Sequence, residues 1–114
     1  MTKRIVVDFD DTLWFSINRD YANGSPNKAL ITKLNSLYDL GWEISIVTAR
    51  GQLSCDGNTQ AAEIKYRDDM QKWLILNNMK YTNLSFEKKY ADYYIDDKGI
   101  KPEDFLNLVV DKNE

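Results

Sequence analysis

The chain has 114 residues, a net charge of −3 and an isoelectric point near 5.0, which suits one modest domain and disfavours a broad nucleic-acid-binding surface. It contains no histidine and a single cysteine, Cys55, so His-dependent catalysis, His-ligated metals and internal disulfides are excluded. No apolar run is long enough to span a membrane and no signal peptide is visible, so we expect a cytoplasmic protein without membrane contacts. Any catalysis must use carboxylates, lysine, arginine, hydroxyl groups and a metal ion.

The first predicted strand, over residues 4–9, ends in a cluster of carboxylates. Its β-branched run Ile5-Val6-Val7 is typical of a parallel strand that is buried on both faces. Asp8 and Asp10 follow on the same side of an extended chain, where two carboxylates ~4 Å apart repel each other by roughly 4 kcal/mol at an effective dielectric of about 20. An oxygen-binding cation such as Mg²⁺ would relieve this repulsion at the sheet edge where ligands bind. The alternative is that Asp10, Asp11 and Thr12 only form a turn at the strand end and a helix cap.

A loop with aromatic side chains and a helix come next. Residues 14–25 mix aromatic residues such as Trp14 with polar residues and glycine. We expect the aromatic side chains to pack over the site as a small rim, and the alternative is that they form the underside of the loop. Ser25-Pro26 predicts a helix start with Ser25 as the N-cap, and Gly41 predicts the end of that helix. The helix supplies core contacts, and we assign it no chemistry.

The second predicted strand, Trp42–Val47, is followed by Thr48-Ala49-Arg50. A hydroxyl group at the carboxyl end of a buried strand can donate to an anionic oxygen, and Arg50 can add a charged fork for a phosphate or a carboxylate. The alternative is that Thr48 caps the turn and Arg50 lies in solvent.

The second half of the chain predicts two more strands and two more helices. Cys55 lies in a polar loop without a visible activating neighbour, so we assign it no role. The expected elements are a helix from about Thr59 to Asn77, a strand over Tyr81–Phe86, a strand over Ala91–Ile95 that ends in Asp96-Asp97, a helix from Pro102 to about Leu108 and a stub of edge strand at Val109–Val110.

Strands that alternate with helices predict an α/β fold with a parallel sheet. We expect a three-layer, Rossmann-like arrangement with helices on both faces, in a single domain over residues 1–114 without a cap domain. The carboxyl ends of three strands would then bring the first two aspartates, Thr48 and the pair Asp96-Asp97 to one edge of the sheet. A lysine just before the last strand would join them.

This series of motifs resembles the haloacid dehalogenase-like (HAD-like) superfamily of phosphohydrolases. Its first motif, Asp-x-Asp-x-Thr after an apolar strand, matches Asp8-Phe9-Asp10-Asp11-Thr12, and its second, an apolar strand that ends in Thr or Ser, matches Ile44–Thr48. Its third motif is a lysine, for which alignment on Ala91-Asp92 favours Lys88 over Lys89. Its fourth motif, an acidic pair after an apolar strand, matches Tyr93–Asp97.

The resemblance implies a Mg²⁺-dependent phosphatase that hydrolyses phosphomonoesters. Asp8 would attack phosphorus and form an aspartyl phosphate, and Asp10 would protonate the leaving oxygen and then activate water. Thr48 and Lys88 would hold the phosphoryl oxygens. The implied Mg²⁺ ligands are Asp8, the main-chain carbonyl of Asp10 and the acidic pair, of which Asp97 would bind directly and Asp96 through water.

The short segments between the motifs leave no room for a cap domain, so the resemblance implies an open site. We expect a small phosphorylated substrate, such as a sugar phosphate or a polynucleotide end. An open site would also admit a bulkier substrate, or a lid from another copy of the chain in a homo-oligomer. Arg50 directly follows the second motif, and we expect it to contact the substrate beyond the phosphoryl group.

Two alternatives to an active phosphatase stay open. One is a degenerate HAD-like domain that binds a phosphate or a metal without turnover. The other is a receiver-type signalling domain, which would need a lone phosphorylated Asp at the end of its third strand, whereas the middle strand here ends in Thr48.

Overall fold

The computed structural model describes residues 3–17, 23–88, 91–94 and 96–110. In chain order its elements are β1 (Arg4–Asp8), β2 (Trp14–Phe15), β3 (Ser25–Pro26), α1 (Lys28–Asp39), β4 (Glu43–Val47), α2 (Thr59–Leu76), β5 (Asn83–Ser85) and α3 (Pro102–Asn107). This is an α/β fold, as the alternation of apolar patterns predicts. None of the helices in the described part of the chain is long and apolar enough to cross a membrane.

A parallel sheet of three strands, with β4 between β1 and β5, forms the centre of the fold. Ile5 lies opposite Ile44 across the first pair, and Ile46 lies opposite Leu84 across the second. A helix makes each crossover, because two parallel strands cannot be joined by a tight turn. The strands β2 and β3 pair with each other in a separate antiparallel ribbon.

One face of the sheet carries the core. Val7, Ile46 and Leu84 point to this face and are each at most 7% exposed. The buried side chains of both long helices join the same cluster, with Leu30, Ile31 and Leu34 from α1 and Ala62, Met70 and Leu74 from α2. Both helices are expected on one face because right-handed crossovers between strands taken in spatial order all pass on the same side.

The other face of the sheet is open in the described part of the chain. Val6, in the middle of β1, is 68% exposed, so the prediction that this strand is buried on both faces is wrong. An ion pair between Arg4 and Glu43, 2.7 Å apart, crosses from β1 to β4 near the start of both strands. A helical layer on this second face, and with it the three-layer arrangement, stays a prediction.

The N-cap residues of the two long helices are asparagines and not serine. The Asn27 side chain accepts the Leu30 N–H at 3.2 Å and donates to the Thr12 carbonyl at 3.1 Å, while Ser25 belongs to β3. The predicted Ser25 cap is therefore wrong, and residues 14–25, predicted as a loop, contain β2 and the start of β3. Asn58 begins α2 in the same way, and Gly41 follows α1 at φ +98°, close to the predicted ends.

The last part of the chain differs most from its prediction. Residues 91–94 form no strand and are exposed, with Tyr93 at 85%, and residue 95 lies outside the described residues. Tyr94 instead lies with its ring centroid 4.2 Å from the Lys88 ammonium group. The predicted strand stub at residues 109–110 is also absent from the described chain, and Val109 is 94% exposed. The helix that begins at Pro102 is present, one residue shorter than predicted.

Candidate functional site

Three chain segments meet at the carboxyl edge of the sheet. The ladder continues past the strand ends, since the Phe9 N–H donates to the Val47 carbonyl at 3.1 Å and the Thr48 N–H donates to the Ser85 carbonyl at 2.9 Å. These bonds align the residues that follow β1, β4 and β5. Strand ends in a parallel sheet present their side chains together, which is why ligands bind at this edge in open α/β folds.

Asp8 and Lys88 form an ion pair at this edge, with 3.3 Å between the Oδ2 and Nζ atoms. Burial raises the pKa of Asp8, and the positive charge of Lys88 partly opposes that shift. The Asp8 side chain is 31% exposed, so one side of the carboxylate is open to solvent. The lysine favoured from the sequence therefore lies at the first aspartate, and Lys89 lies outside the described residues.

Gln52 anchors the segment that carries this lysine, and sequence reasoning did not find it. Its side-chain amide donates to the main-chain carbonyls of Lys88 and, at 3.4 Å, of Phe86. Gln52 itself sits in the turn after β4, where its N–H donates to the Ala49 carbonyl at 3.1 Å. A single glutamine in a polar loop carries no sequence signal for such a role.

Asp10 and Arg50 form the second ion pair of the site. Arg50 donates from Nε to Oδ2 at 3.1 Å and from Nη2 to Oδ1 at 2.5 Å, so the guanidinium group binds both carboxylate oxygens in a bidentate pair. Arg50 is only 4% exposed and its side chain 2%, whereas the Asp10 side chain is 24% exposed. The alternative of a solvated Arg50 is wrong, and the burial favours a place behind the site over direct contact with a substrate.

Thr48 supports this arginine through the main chain. Its Oγ1 atom accepts the Arg50 N–H at 2.9 Å, which is the turn-capping role considered as an alternative, and the residue is 1% exposed. A hydroxyl group that accepts one bond can still donate its hydrogen to another acceptor. The contact of Thr48 with a phosphoryl oxygen stays a prediction.

The aromatic residues near the strand end form part of the core. Trp14 is 7% exposed and stacks on Trp73 of α2 at 4.8 Å, and the Phe9 ring lies edge-on to both indoles. Phe15, 45% exposed, is the described aromatic of this segment that faces outward. The expected rim over the site is therefore mostly a buried wall beneath it.

The acidic pair of the fourth motif lies on an exposed turn. The Lys98 N–H donates to Asp96 Oδ1 at 2.9 Å, and this bond, followed by the Asp97 side chain, lowers the pKa of Asp96. Among the described residues, no group of three or more Asp, Glu or Cys side chains lies together as a candidate metal site. The expected Mg²⁺ ligands thus fall in two places, with Asp8 and Asp10 at the sheet edge and the pair on this turn.

No family model matches the chain, and no curated protein matches it. Among solved structures, the fold is similar to a crystal structure from Vibrio cholerae, at 29% sequence identity and a TM-score of 0.89. The match covers 96% of this chain and 91% of that one. That protein is described as a crystallographic target with no stated activity, so the likeness supports the fold and assigns no function.

Proposed function

We propose that the protein is a Mg²⁺-dependent phosphatase of the HAD-like type, which hydrolyses phosphomonoesters through an aspartyl phosphate on Asp8. The observation that carries the proposal is the ion pair of Asp8 and Lys88 at the carboxyl edge of a parallel sheet. An acid with one open side beside a fixed ammonium group suits attack on a phosphoryl group, because the cation balances the charge that gathers there. The three-layer Rossmann-like arrangement and a cytoplasmic location belong to this proposal.

In the first step, an Asp8 oxygen forms a bond to phosphorus while the bond to the leaving oxygen breaks. Asp10 gives its proton to that oxygen, and in the second step it takes a proton from the water that attacks the aspartyl phosphate. Lys88 and the Thr48 hydroxyl donate to the phosphoryl oxygens. Loss of one such donor typically costs about 10²–10³ in rate.

Asp8 and Asp10 are the part of the donor set that suits Mg²⁺, since both offer hard oxygen atoms at one strand end. The Asp8 carboxylate, the Asp10 main-chain carbonyl and Asp97 would hold the ion, with Asp96 acting through water. The ion would supply positive charge to the phosphoryl oxygens. Asp97 is the better direct ligand because Asp96 already accepts the Lys98 N–H.

The test uses p-nitrophenyl phosphate and a panel of sugar phosphates, nucleotides and 3′- or 5′-phosphorylated oligonucleotides. We expect hydrolysis that EDTA abolishes and Mg²⁺ restores. Acid-quenched Asp10→Asn protein should carry one phosphoryl group by intact mass, because its intermediate breaks down slowly, and Asp8→Asn protein should carry none. Full activity in EDTA would exclude the metal, and full activity of Asp8→Asn would exclude the nucleophile.

A binding domain without turnover is the second candidate, because Lys88 beside Asp8 and the Thr48 hydroxyl at the same sheet edge would hold a phosphate whether or not it is cleaved. Calorimetric titration with inorganic phosphate or with a non-hydrolysable phosphonate separates the two candidates. Binding without hydrolysis of any member of the panel would favour this second candidate.

A further inference from the structure

The buried guanidinium group of Arg50 is a feature that the proposed mechanism does not use. Arginine is seldom buried, because removing its charge from water is costly unless a partner charge and hydrogen bonds compensate. Here the side chain is 2% exposed, and the partner is the proposed acid–base residue Asp10. The position of Arg50 therefore affects the residue that is proposed to transfer protons in the site.

Three aromatic rings from separate parts of the chain surround the guanidinium group. Its central carbon lies 5.1 Å from the Phe9 ring, 4.9 Å from the Trp14 ring and 5.9 Å from the Tyr66 ring. Rings at these distances attract a cation and leave it little room to change conformation. Since Phe9 follows β1, Trp14 lies in β2 and Tyr66 in α2, the core itself fixes the arginine.

The fork of two hydrogen bonds from the Arg50 guanidinium group in turn fixes the Asp10 side chain. Two parallel hydrogen bonds, 3.1 and 2.5 Å long, fix both the position and the plane of the carboxylate, which a single bond from a lysine would not do. A carboxylate offers about four lone-pair sites, so each oxygen retains one for a proton while the fork is in place. The 24% exposure of the Asp10 side chain leaves a path for that proton.

We infer that Arg50 is a positioning residue: it holds the Asp10 carboxylate in the orientation that protonates the leaving oxygen of a phosphomonoester, and it does not touch the substrate. The inference rests on the proposed phosphatase activity. It replaces the expected contact between Arg50 and the substrate with an action through Asp10. In the step concerned, the Asp8–phosphorus bond forms, the bond from phosphorus to the leaving oxygen breaks, and the electron pair left on that oxygen takes the proton of Asp10.

The test compares phenyl phosphate with p-nitrophenyl phosphate. The two substrates share a phenyl ring and a phosphoryl group, but p-nitrophenolate leaves easily and needs little protonation, whereas phenolate needs more. We expect Arg50→Ala to lower kcat/KM for phenyl phosphate about tenfold more than for p-nitrophenyl phosphate, which is a fraction of the full effect of a general acid. A lost substrate contact or a loosened fold would lower both values by the same factor.

Two further variants keep the test decisive. Arg50→Lys retains the charge without the fork, so it should show the same dependence on the leaving group even if Arg50→Ala does not fold. Arg67→Ala is the control, since Arg67 likewise pairs with an acid, Glu63, at 2.8 Å and lies 5.6 Å from an aromatic ring, that of Phe86, but its side chain is 32% exposed. Its loss should change both kcat/KM values equally. In an Asp10→Asn background, Arg50→Ala should have little further effect on phenyl phosphate hydrolysis.

A readout without substrate tests the pairing itself. The Arg50 Nε–H should give a slowly exchanging signal in the ¹⁵N spectrum that is absent in Arg50→Lys and shifted in Asp10→Asn. If the wild-type protein is active but the Arg50 variants lower kcat/KM for phenyl phosphate and for p-nitrophenyl phosphate by the same factor, the inference about Arg50 is wrong. The proposed phosphatase activity would still stand. A wild-type protein that hydrolyses neither the two aryl phosphates nor any other member of the panel would refute the proposed function, and the role of Arg50 would fall with it even where the NMR signal shows the pairing.

Discussion

At the scale of single residues, Asp8 faces two opposed demands. Attack on phosphorus needs a carboxylate with little surrounding water, but burial disfavours the ionised form and raises the pKa of Asp8, more than the nearby Lys88 lowers it. An acid whose pKa is raised in the folded state binds more protons when folded than when unfolded. It therefore lowers stability as the pH rises from the unfolded value of about 4 through the folded pKa.

We therefore expect Asp8→Asn to unfold at a higher temperature than the wild-type protein at pH 7. The difference should shrink as the pH falls and vanish when Asp8 is protonated in both states. Thermal unfolding from pH 4 to 8 in EDTA measures this without a metal contribution. Asp69→Asn is the control, because Asp69 is an exposed acid on α2 that should show no such trend. A lower melting temperature for Asp8→Asn at pH 7 would mean that its ion pair with Lys88 outweighs the cost of burial.

At the scale of elements, the turn between β4 and α2 sets the position of Thr48 and Arg50. Gly51 adopts φ +83°, and a Cβ atom there would lie 2.8 Å from the Tyr66 ring and 2.9 Å from the Ala62 Cβ. A non-glycine residue in this conformation costs about 1–2 kcal/mol from backbone strain alone. The contact with α2 adds to this cost, because Ala62 is buried and cannot move aside.

Gly51→Ala should therefore lower the free energy of unfolding by more than Gly57→Ala, which urea titration measures. Gly57 has a similar φ of +76°, but a Cβ atom there would meet nothing within 4 Å, so this control isolates the strain of about 1–2 kcal/mol. Gly51→Ala should also reduce phosphatase activity, because Tyr66 borders the guanidinium group. Equal losses of stability in the two variants would show that α2 shifts enough to accommodate the extra methyl group without a measurable cost.

The same elements show how far the sequence alone leads. Gly41 correctly marked the end of α1, because this signal acts locally, whereas the predicted Ser25 cap was wrong and Asn27 caps the helix instead. The run Ala91–Ile95 has the composition of a strand, but its described residues 91–94 are not one, since composition does not specify a neighbouring strand. The family resemblance predicted that Lys88 lies beside Asp8, and the two side chains form an ion pair. It did not predict the burial of Arg50, which depends on the Phe9 and Trp14 rings near β1 and on the Tyr66 ring of α2.

At the scale of the whole molecule, the proposed metal ligands come from segments that are far apart in the sequence. Asp8 lies at the end of the first strand, whereas Asp97 lies on an exposed turn just before α3. In the segment before this turn, the Tyr94 ring centroid lies 4.2 Å from the Lys88 ammonium group at the sheet edge. Binding of Mg²⁺ by both aspartates would hold this turn against the sheet edge.

We expect Mg²⁺ to slow amide hydrogen exchange in residues 91–94 and 96–98. An ion bound by ligands from two segments stabilises the state in which those segments lie together, and this lowers the rate of local opening. Exchange in the central strand β4 should change little, since this strand is already hydrogen-bonded to β1 on one side and to β5 on the other. Asp97→Asn should abolish the protection, and Asp92→Asn, an exposed acid in the same segment, should retain it. Ca²⁺ at the same concentration tests whether the site prefers the smaller ion. If Mg²⁺ protects the residues after β1 but not those around Asp97, the ligands beyond Asp8 and Asp10 lie elsewhere in the chain.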